Sequence, residues 1–84
     1  MKTWSVYLLK CCDNSLYCGV TTDIDNRLSK HAHGSASKYT RSRLPVQLMA
    51  SRKDLSKQEA FKLEYQIKQL PAQKKITSLK NIVL

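Results

Sequence analysis

Apolar residues alternate along the start of the chain, with Trp4, Val6 and Leu8 on one side of an extended segment and Tyr7 and Leu9 on the other. That period of two predicts a β-strand over Trp4–Cys11, and apolar groups on both faces make it a central strand or one in a sheet covered on both sides. Asp13-Asn14-Ser15 signals a turn and Leu16–Thr21 a second strand, so the two are expected to form an antiparallel hairpin. Thr22 or Asp23 can cap a helix running to about His33, with Asp23 and Asp25 suited to its positive end and Gly34 to its stop. The polar stretch Ser35–Arg43 reads as a loop long enough to be functional, and Val46–Ser51 as a third strand. Ser56 and Glu59 form an S-x-x-E capping box, and the helix it opens turns Ala60, Leu63, Ile67 and Leu70 toward a core before Pro71 ends it. Ala72–Asn81 predicts a last basic helix ending near Ile82, Val83 and Leu84.

A length of 84 residues bounds this pattern to one domain, residues 1–84, with one core and no second folded unit. Fifteen Lys and Arg against six Asp and Glu give a formal charge of +9, which spreads positive potential over much of so small a surface. The partner this fits best is nucleic acid, because releasing counterions from phosphates rewards a basic face. No apolar run approaches the roughly 20 residues that cross a bilayer. The N-terminus lacks the apolar stretch of a signal peptide, so no membrane partner and a cytoplasmic location are expected. Cys11, Cys12 and Cys18 are odd in number and lie in strand-like segments, which points to reduced thiols. With His31 and His33 they offer the donor types of a zinc site, but without a C-x-x-C spacing; buried small hydrophobes are the alternative.

Three groups of residues carry candidate chemistry. Tyr7 and Tyr17 lie on opposite arms of the hairpin, on one face if the register pairs them so, and Gly19 removes a side chain two positions after Tyr17. Such a gap lets a backbone or a phosphate come close; a tyrosine-lined core face is the other reading. Arg27 and His31, four apart, share one side of the first helix. Glu64 sits at the edge of the core-facing stripe, one turn from Ala60, Phe61 and Ile67. A carboxylate there calls for a partner, either Lys68 as an i,i+4 ion pair or a hard divalent cation of the magnesium type.

Ser5-Val6-Tyr7, followed ten residues later by Tyr17-Cys18-Gly19, then by Arg27, His31 and a distal helix bearing Glu64, resembles the GIY-YIG nuclease superfamily. The likeness is to its small stand-alone bacterial members, themselves similar to structure-specific nucleases of branched DNA and to the N-terminal nuclease domain of the bacterial excision-repair complex. Both motifs diverge in their aliphatic letters, while the tyrosines, glycine, arginine, histidine and glutamate are kept. The resemblance implies an α+β fold, a three-stranded antiparallel sheet flanked by helices in the order β-β-α-β-α-α. It implies a metal-dependent endonuclease that hydrolyses phosphodiester bonds in DNA more than RNA, selecting structure over sequence.

On the same resemblance, Glu64 holds one divalent ion, Mg2+ or Mn2+, and Arg27 neutralises charge growing on the scissile phosphate. Tyr7 or Tyr17 takes the proton of the attacking water, with His31 accepting it in turn or orienting the nucleophile. Nucleic acid would be gripped by Lys38, Tyr39, Arg41 and Arg43 beside Gly19, and Asn81 is the C-terminal candidate for the asparagine some members carry. The competing expectations are a nucleic-acid-binding module that cuts nothing and an adaptor of a DNA repair complex whose protein partner supplies specificity.

Overall fold

The first two strands, β1 (Trp4–Lys10) and β2 (Leu16–Thr21), form an antiparallel hairpin in the computed structural model, which describes residues 2–82. Its turn is closed by Asp13, whose Oδ1 accepts from the Ser15 amide at 3.0 Å and the Ser15 hydroxyl at 2.6 Å. Asn14 takes the left-handed backbone conformation there (φ 68°), which asparagine tolerates better than most residues. The register pairs Tyr7 with Gly19, Leu8 with Cys18 and Leu9 with Tyr17. Ser5, Tyr7, Leu9, Tyr17, Gly19 and Thr21 therefore share one face of the sheet, and Val6, Leu8, Leu16, Cys18 and Val20 the other.

Strand β3 (Gln47–Leu55) pairs antiparallel with β1, giving the order β2-β1-β3. It continues four residues past the expected end at Ser51, and it carries one extra residue at each of two places. Between the pairs Val6–Arg52 and Trp4–Leu55, and again between Leu8–Ala50 and Leu9–Leu48, β3 spends one residue more than β1. These bulges break the alternation by which a strand is recognised, and the first contains Asp54 with a left-handed φ of 62°.

One face of the sheet packs on the two C-terminal helices. Helix α3 (Lys57–Lys68), preceded here in the chain by α1 (Ile24–Ala32) and the short α2 (Lys38–Arg41), opens on the expected Ser56–Glu59 capping box, with both reciprocal hydrogen bonds formed. Helix α4 (Ala72–Asn81) follows Pro71. Val6, Leu8, Cys18, Ala50, Leu55, Ala60, Leu63, Ile67 and Leu79 form one buried cluster between them. Each fully buried Leu or Ile in it contributes about 1.5–3 kcal/mol of transfer free energy. Two basic side chains fasten the helix ends: Lys75 Nζ donates to the carbonyls of Ile67 and Lys68 at the end of α3, and Arg52 on β3 donates to the carbonyls of Leu79 and Ile82 at the end of α4. Both satisfy carbonyls that a helix terminus leaves unpaired. The expected tail contribution of Val83 and Leu84 lies outside the described residues.

The opposite face is covered by α1 and α2. Asp23 caps α1, accepting from the Asn26 amide at 3.1 Å. At the other end Gly34 (φ 76°) follows the cap residue His33, with Ser35 N–H on the Lys30 carbonyl and Gly34 N–H on that of His31. This paired 6→1 and 5→2 closure requires the left-handed residue that glycine supplies. The stretch expected to be a loop contains the one-turn α2, capped by Ser37, whose hydroxyl accepts from the Tyr39 amide.

Candidate active site

Tyr7 lies on the central strand under α1, and its ring extends across Gly19 on β2. A Cβ at position 19 would fall 2.5 Å from Tyr7 Cζ and press on its hydroxyl. The space expected at Gly19 for a phosphate or a backbone is thus taken by the chain's own phenol. Glycine serves here to seat Tyr7.

His31, on the last turn of α1, meets that phenol. Tyr7 Oη and His31 Nε2 are 2.8 Å apart, and His31 Nδ1 is 2.9 Å from the Thr40 hydroxyl on α2. Thr40 Oγ1 in turn donates to the Ser37 carbonyl at 3.3 Å, as a threonine one turn into a short helix does. With its proton directed there, the hydroxyl accepts from His31 Nδ1–H, which leaves Nε2 as an acceptor for the Tyr7 proton. The chain Tyr7–His31–Thr40–Ser37 is therefore polarised in one direction. Tyr7, His31 and Thr40 are 2%, 1% and 0% exposed, so water does not compete for these bonds. Among the described residues no buried side-chain nitrogen or oxygen lacks a partner. Thr40 was absent from the sequence expectation, since a hydroxyl in a polar stretch carries no signal of burial.

Burial dominates the protonation of this pair. It pushes the Tyr7 phenol well above the ordinary phenol range, reinforced by Tyr17, while the Arg27 charge pulls it down and the Glu64 charge raises it slightly. Burial and the Arg27 charge both hold His31 below the ordinary histidine value. The resting pair is a neutral phenol hydrogen-bonded to a neutral imidazole, with the charges of Arg27 and Glu64 both felt at the phenol.

Tyr17 stands on the solvent side of this pair, half-buried, its ring 6.4 Å from that of Tyr7, 5.3 Å from that of His31 and stacked 5.9 Å from Tyr39. The Arg43 guanidinium covers the Tyr39 ring at 3.9 Å and bonds inward to Asp13 (3.0 Å), the Tyr39 carbonyl and the Ser42 hydroxyl. Most of the donors expected to grip phosphate at Arg43 are thus spent joining the hairpin turn to α2. Lys38 and Arg41 are exposed, and Arg27 is half-buried; none of the three has an ion-pair partner among the described residues.

Glu64 lies on the rim of α3, its side chain 18% exposed, with Lys68 Nζ at 3.5 Å. Of the two partners expected for this carboxylate the i,i+4 lysine is present, and the acid also borders Cys18 on β2, whose thiol burial and the Glu64 charge push up to about 12. Among the described residues no three His, Cys, Asp or Glu side chains gather as a metal cage. The zinc reading from the thiols and histidines therefore does not materialise. Cys11 and Cys18 are buried, His31 is fully hydrogen-bonded, and Cys12 is exposed in the hairpin connection instead of buried with the others. Asn81 is exposed at the end of α4, between Leu79 and Ile82, whose carbonyls Arg52 of β3 holds at the sheet edge opposite to β2. No described helix is long and apolar enough to cross a membrane.

The match to known proteins covers this same arrangement. Residues 3–77 match the family model of the GIY-YIG catalytic domain. A UPF0213 protein of Nitratidesulfovibrio vulgaris is 42% identical over 81 residues, 96% of this chain and 74% of that one. The UPF0213 protein BH0048 of Halalkalibacterium halodurans is 49% identical over 77 residues, 89% of this chain and 82% of its own. Among solved structures, the NMR structure of BH0048 from Bacillus halodurans shares 45% identity at a TM-score of 0.57, covering 92% of this chain and 82% of that one. That of EF2693 from E. faecalis shares 36% at 0.65, covering 95% and 85%. With the paired tyrosines, glycine, arginine, histidine and glutamate in the motif order, the chain belongs to the GIY-YIG catalytic domain family, a nuclease superfamily.

Proposed function

We propose that this protein is a divalent-metal-dependent endonuclease that hydrolyses phosphodiester bonds in nucleic acid, DNA before RNA, choosing its target by shape. The observation that carries the reading is the buried 2.8 Å hydrogen bond between Tyr7 on the central strand and His31 on α1, the helix that also bears Arg27. Family membership supplies the reaction class.

A magnesium-type ion takes one or two protein carboxylates and completes its shell with water and substrate phosphate, and a lone rim carboxylate fits that habit better than a closed cage would. Glu64 would hold the ion, after its Lys68 contact gives way. The ion supplies Lewis-acid stabilisation of charge on the phosphate oxygens. Arg27, with no competing anion among the described residues, is free to bind the same phosphate through two donors of its planar fork.

Tyr7 differs from Tyr17 in having a proton acceptor. A buried phenol whose pKa is raised is a poor free-standing base. It need not become a phenolate if its own proton passes to His31 Nε2 while it takes one from the attacking water. The neutral state of His31 is what makes this transfer available. Tyr17, which has no hydrogen-bond partner among the described residues, keeps its hydroxyl for a phosphate oxygen or for the nucleophile. With Arg43 committed internally, Lys38 and Arg41 remain for phosphates flanking the cut, which positions a backbone but reads no sequence.

A screen of supercoiled plasmid, flaps, junctions and single strands with Mg2+ or Mn2+ tests the proposal. Cleavage is expected for the native chain and loss of at least a hundredfold for Glu64→Ala and for Arg27→Ala, with circular dichroism unchanged. Native-level cleavage by either variant overturns the assignment. The Glu64–Lys68 ion pair favours one second reading, a binding module that cuts nothing; a salt-sensitive gel shift without nicking under every metal condition would establish it.

A further inference from the structure

Helix α3 turns Ala60, Leu63 and Ile67 into the core, yet it carries two large aromatic rings on the outside. Phe61 is 44% exposed and Tyr65 68% exposed. Four residues apart, they occupy one face of the helix, separated by about 6 Å along its axis. Phe61 is braced from one side by Trp4, whose ring lies 5.4 Å away at 56°. Lys57, Lys62 and Lys68 are exposed on the same helix, and its two acids are already engaged, Glu59 with Lys2 and Glu64 with Lys68.

We propose that Phe61 and Tyr65 form a stacking platform for unpaired bases of the nucleic acid strand bound at Glu64. Charge decides between occupants. A protein interface is depleted of lysine at its centre, whereas a lysine-flanked aromatic pair on a chain of charge +9 complements a polyanion whose bases offer flat π faces. Bases inside a duplex have both faces occupied by their neighbours, so only a single-stranded segment can use such rings. Glu64 neighbours Phe61 on the helix surface at the i,i+3 spacing, which brings the platform within about a nucleotide or two of a phosphate held by that carboxylate. The platform rests on the endonuclease reading for that phosphate and adds to it the side chains that take the unpaired bases beside the cut.

Trp4 is the sole tryptophan and touches the platform, so it reports occupancy with no metal and no cleavage. Titration of the full chain with a single-stranded oligothymidylate is expected to quench Trp4 emission, and a duplex of equal length to do so at least tenfold more weakly. In Phe61→Leu/Tyr65→Ser, single-strand affinity measured by fluorescence anisotropy should fall roughly tenfold with duplex affinity unchanged. Tyr65→Ser alone, which leaves the Trp4–Phe61 contact intact, should show part of the loss. Equal losses for single strand and duplex, or no loss in either variant, overturn the platform. So does a native dimer that the double variant converts to monomer with DNA binding intact. Quenching without cleavage keeps the platform and sinks the nuclease reading; cleavage with unaltered variants does the reverse.

Discussion

Tyr7 and His31 stand 24 residues apart in the chain and 2.8 Å apart in space, on the central strand and the last turn of α1. Their bond is directional because Thr40, on a helix of only four residues, takes the opposite imidazole nitrogen. The tautomer of His31 is therefore set by a residue that touches no reacting atom.

Thr40→Val keeps the shape of the side chain and removes its acceptor. The buried Nδ1–H is then unpaired, which costs about 1–3 kcal/mol of stability and favours the Nε2–H tautomer. In that form Nε2 cannot accept from Tyr7. Nitrogen-15 NMR of the imidazole should show the exchange of tautomers in Thr40→Val and the native pattern in Thr40→Ser. An unchanged tautomer in the valine variant would refute the positioning role.

Gly19→Ala should damage the site without touching any polar group. Its methyl would overlap the Tyr7 ring, which is 2% exposed and has nowhere to turn. An overpacking cost of about 1–3 kcal/mol is expected in thermal or urea unfolding, with loss of the Tyr7–His31 bond. Tyr7→Leu should restore much of that stability in the alanine background, while leaving activity absent.

Acid should weaken both fold and activity through His31. Its folded pKa lies below the ordinary value near 6.5, so between the two values the unfolded chain binds a proton that the folded chain does not. The stabilisation is complete above about pH 6.5 and is lost as pH falls through the lower, folded value. Melting temperature should decline on that side, and His31→Asn should flatten the decline. Cleavage, needing the neutral imidazole, should rise with pH over the same window.

Thiol chemistry provides an independent check on the packing of α3 against the sheet over Cys18. Cys12 is exposed, Cys11 and Cys18 are buried, and the Cys18 thiol is held up to about 12 by burial and by Glu64. The thiolate is the reactive form. Iodoacetamide at pH 8 should therefore label Cys12 rapidly in the folded chain and reach Cys18 only on unfolding, as peptide mass mapping would record.

The hairpin, the α1 cap at Asp23 with its Gly34 stop, and the capping box of α3 were all legible, because each rests on local chemistry within a few residues. The family resemblance was legible for the same reason, residing in short motifs. What escaped depends on distant contacts. Helix α2 has no apolar period, only Thr40 buried beneath it; β3 is lengthened by two extra residues that interrupt its alternation. Arg43 read as a free cation, yet Asp13, 30 residues away, claims it. Gly19 left two readings open, an opening or a tyrosine-lined face, and what decides for the second is a phenol from the neighbouring strand.

The Asp13–Arg43–Tyr39–Tyr17 succession has a thermodynamic consequence. It clamps the hairpin tip to α2 and holds three flat groups in file in the free protein. Side chains already immobilised have little rotational freedom left to surrender when a polyanion docks beside them. Their contribution to capture is then a matter of enthalpy and counterion release, and association along this wall should proceed without a slow ordering step.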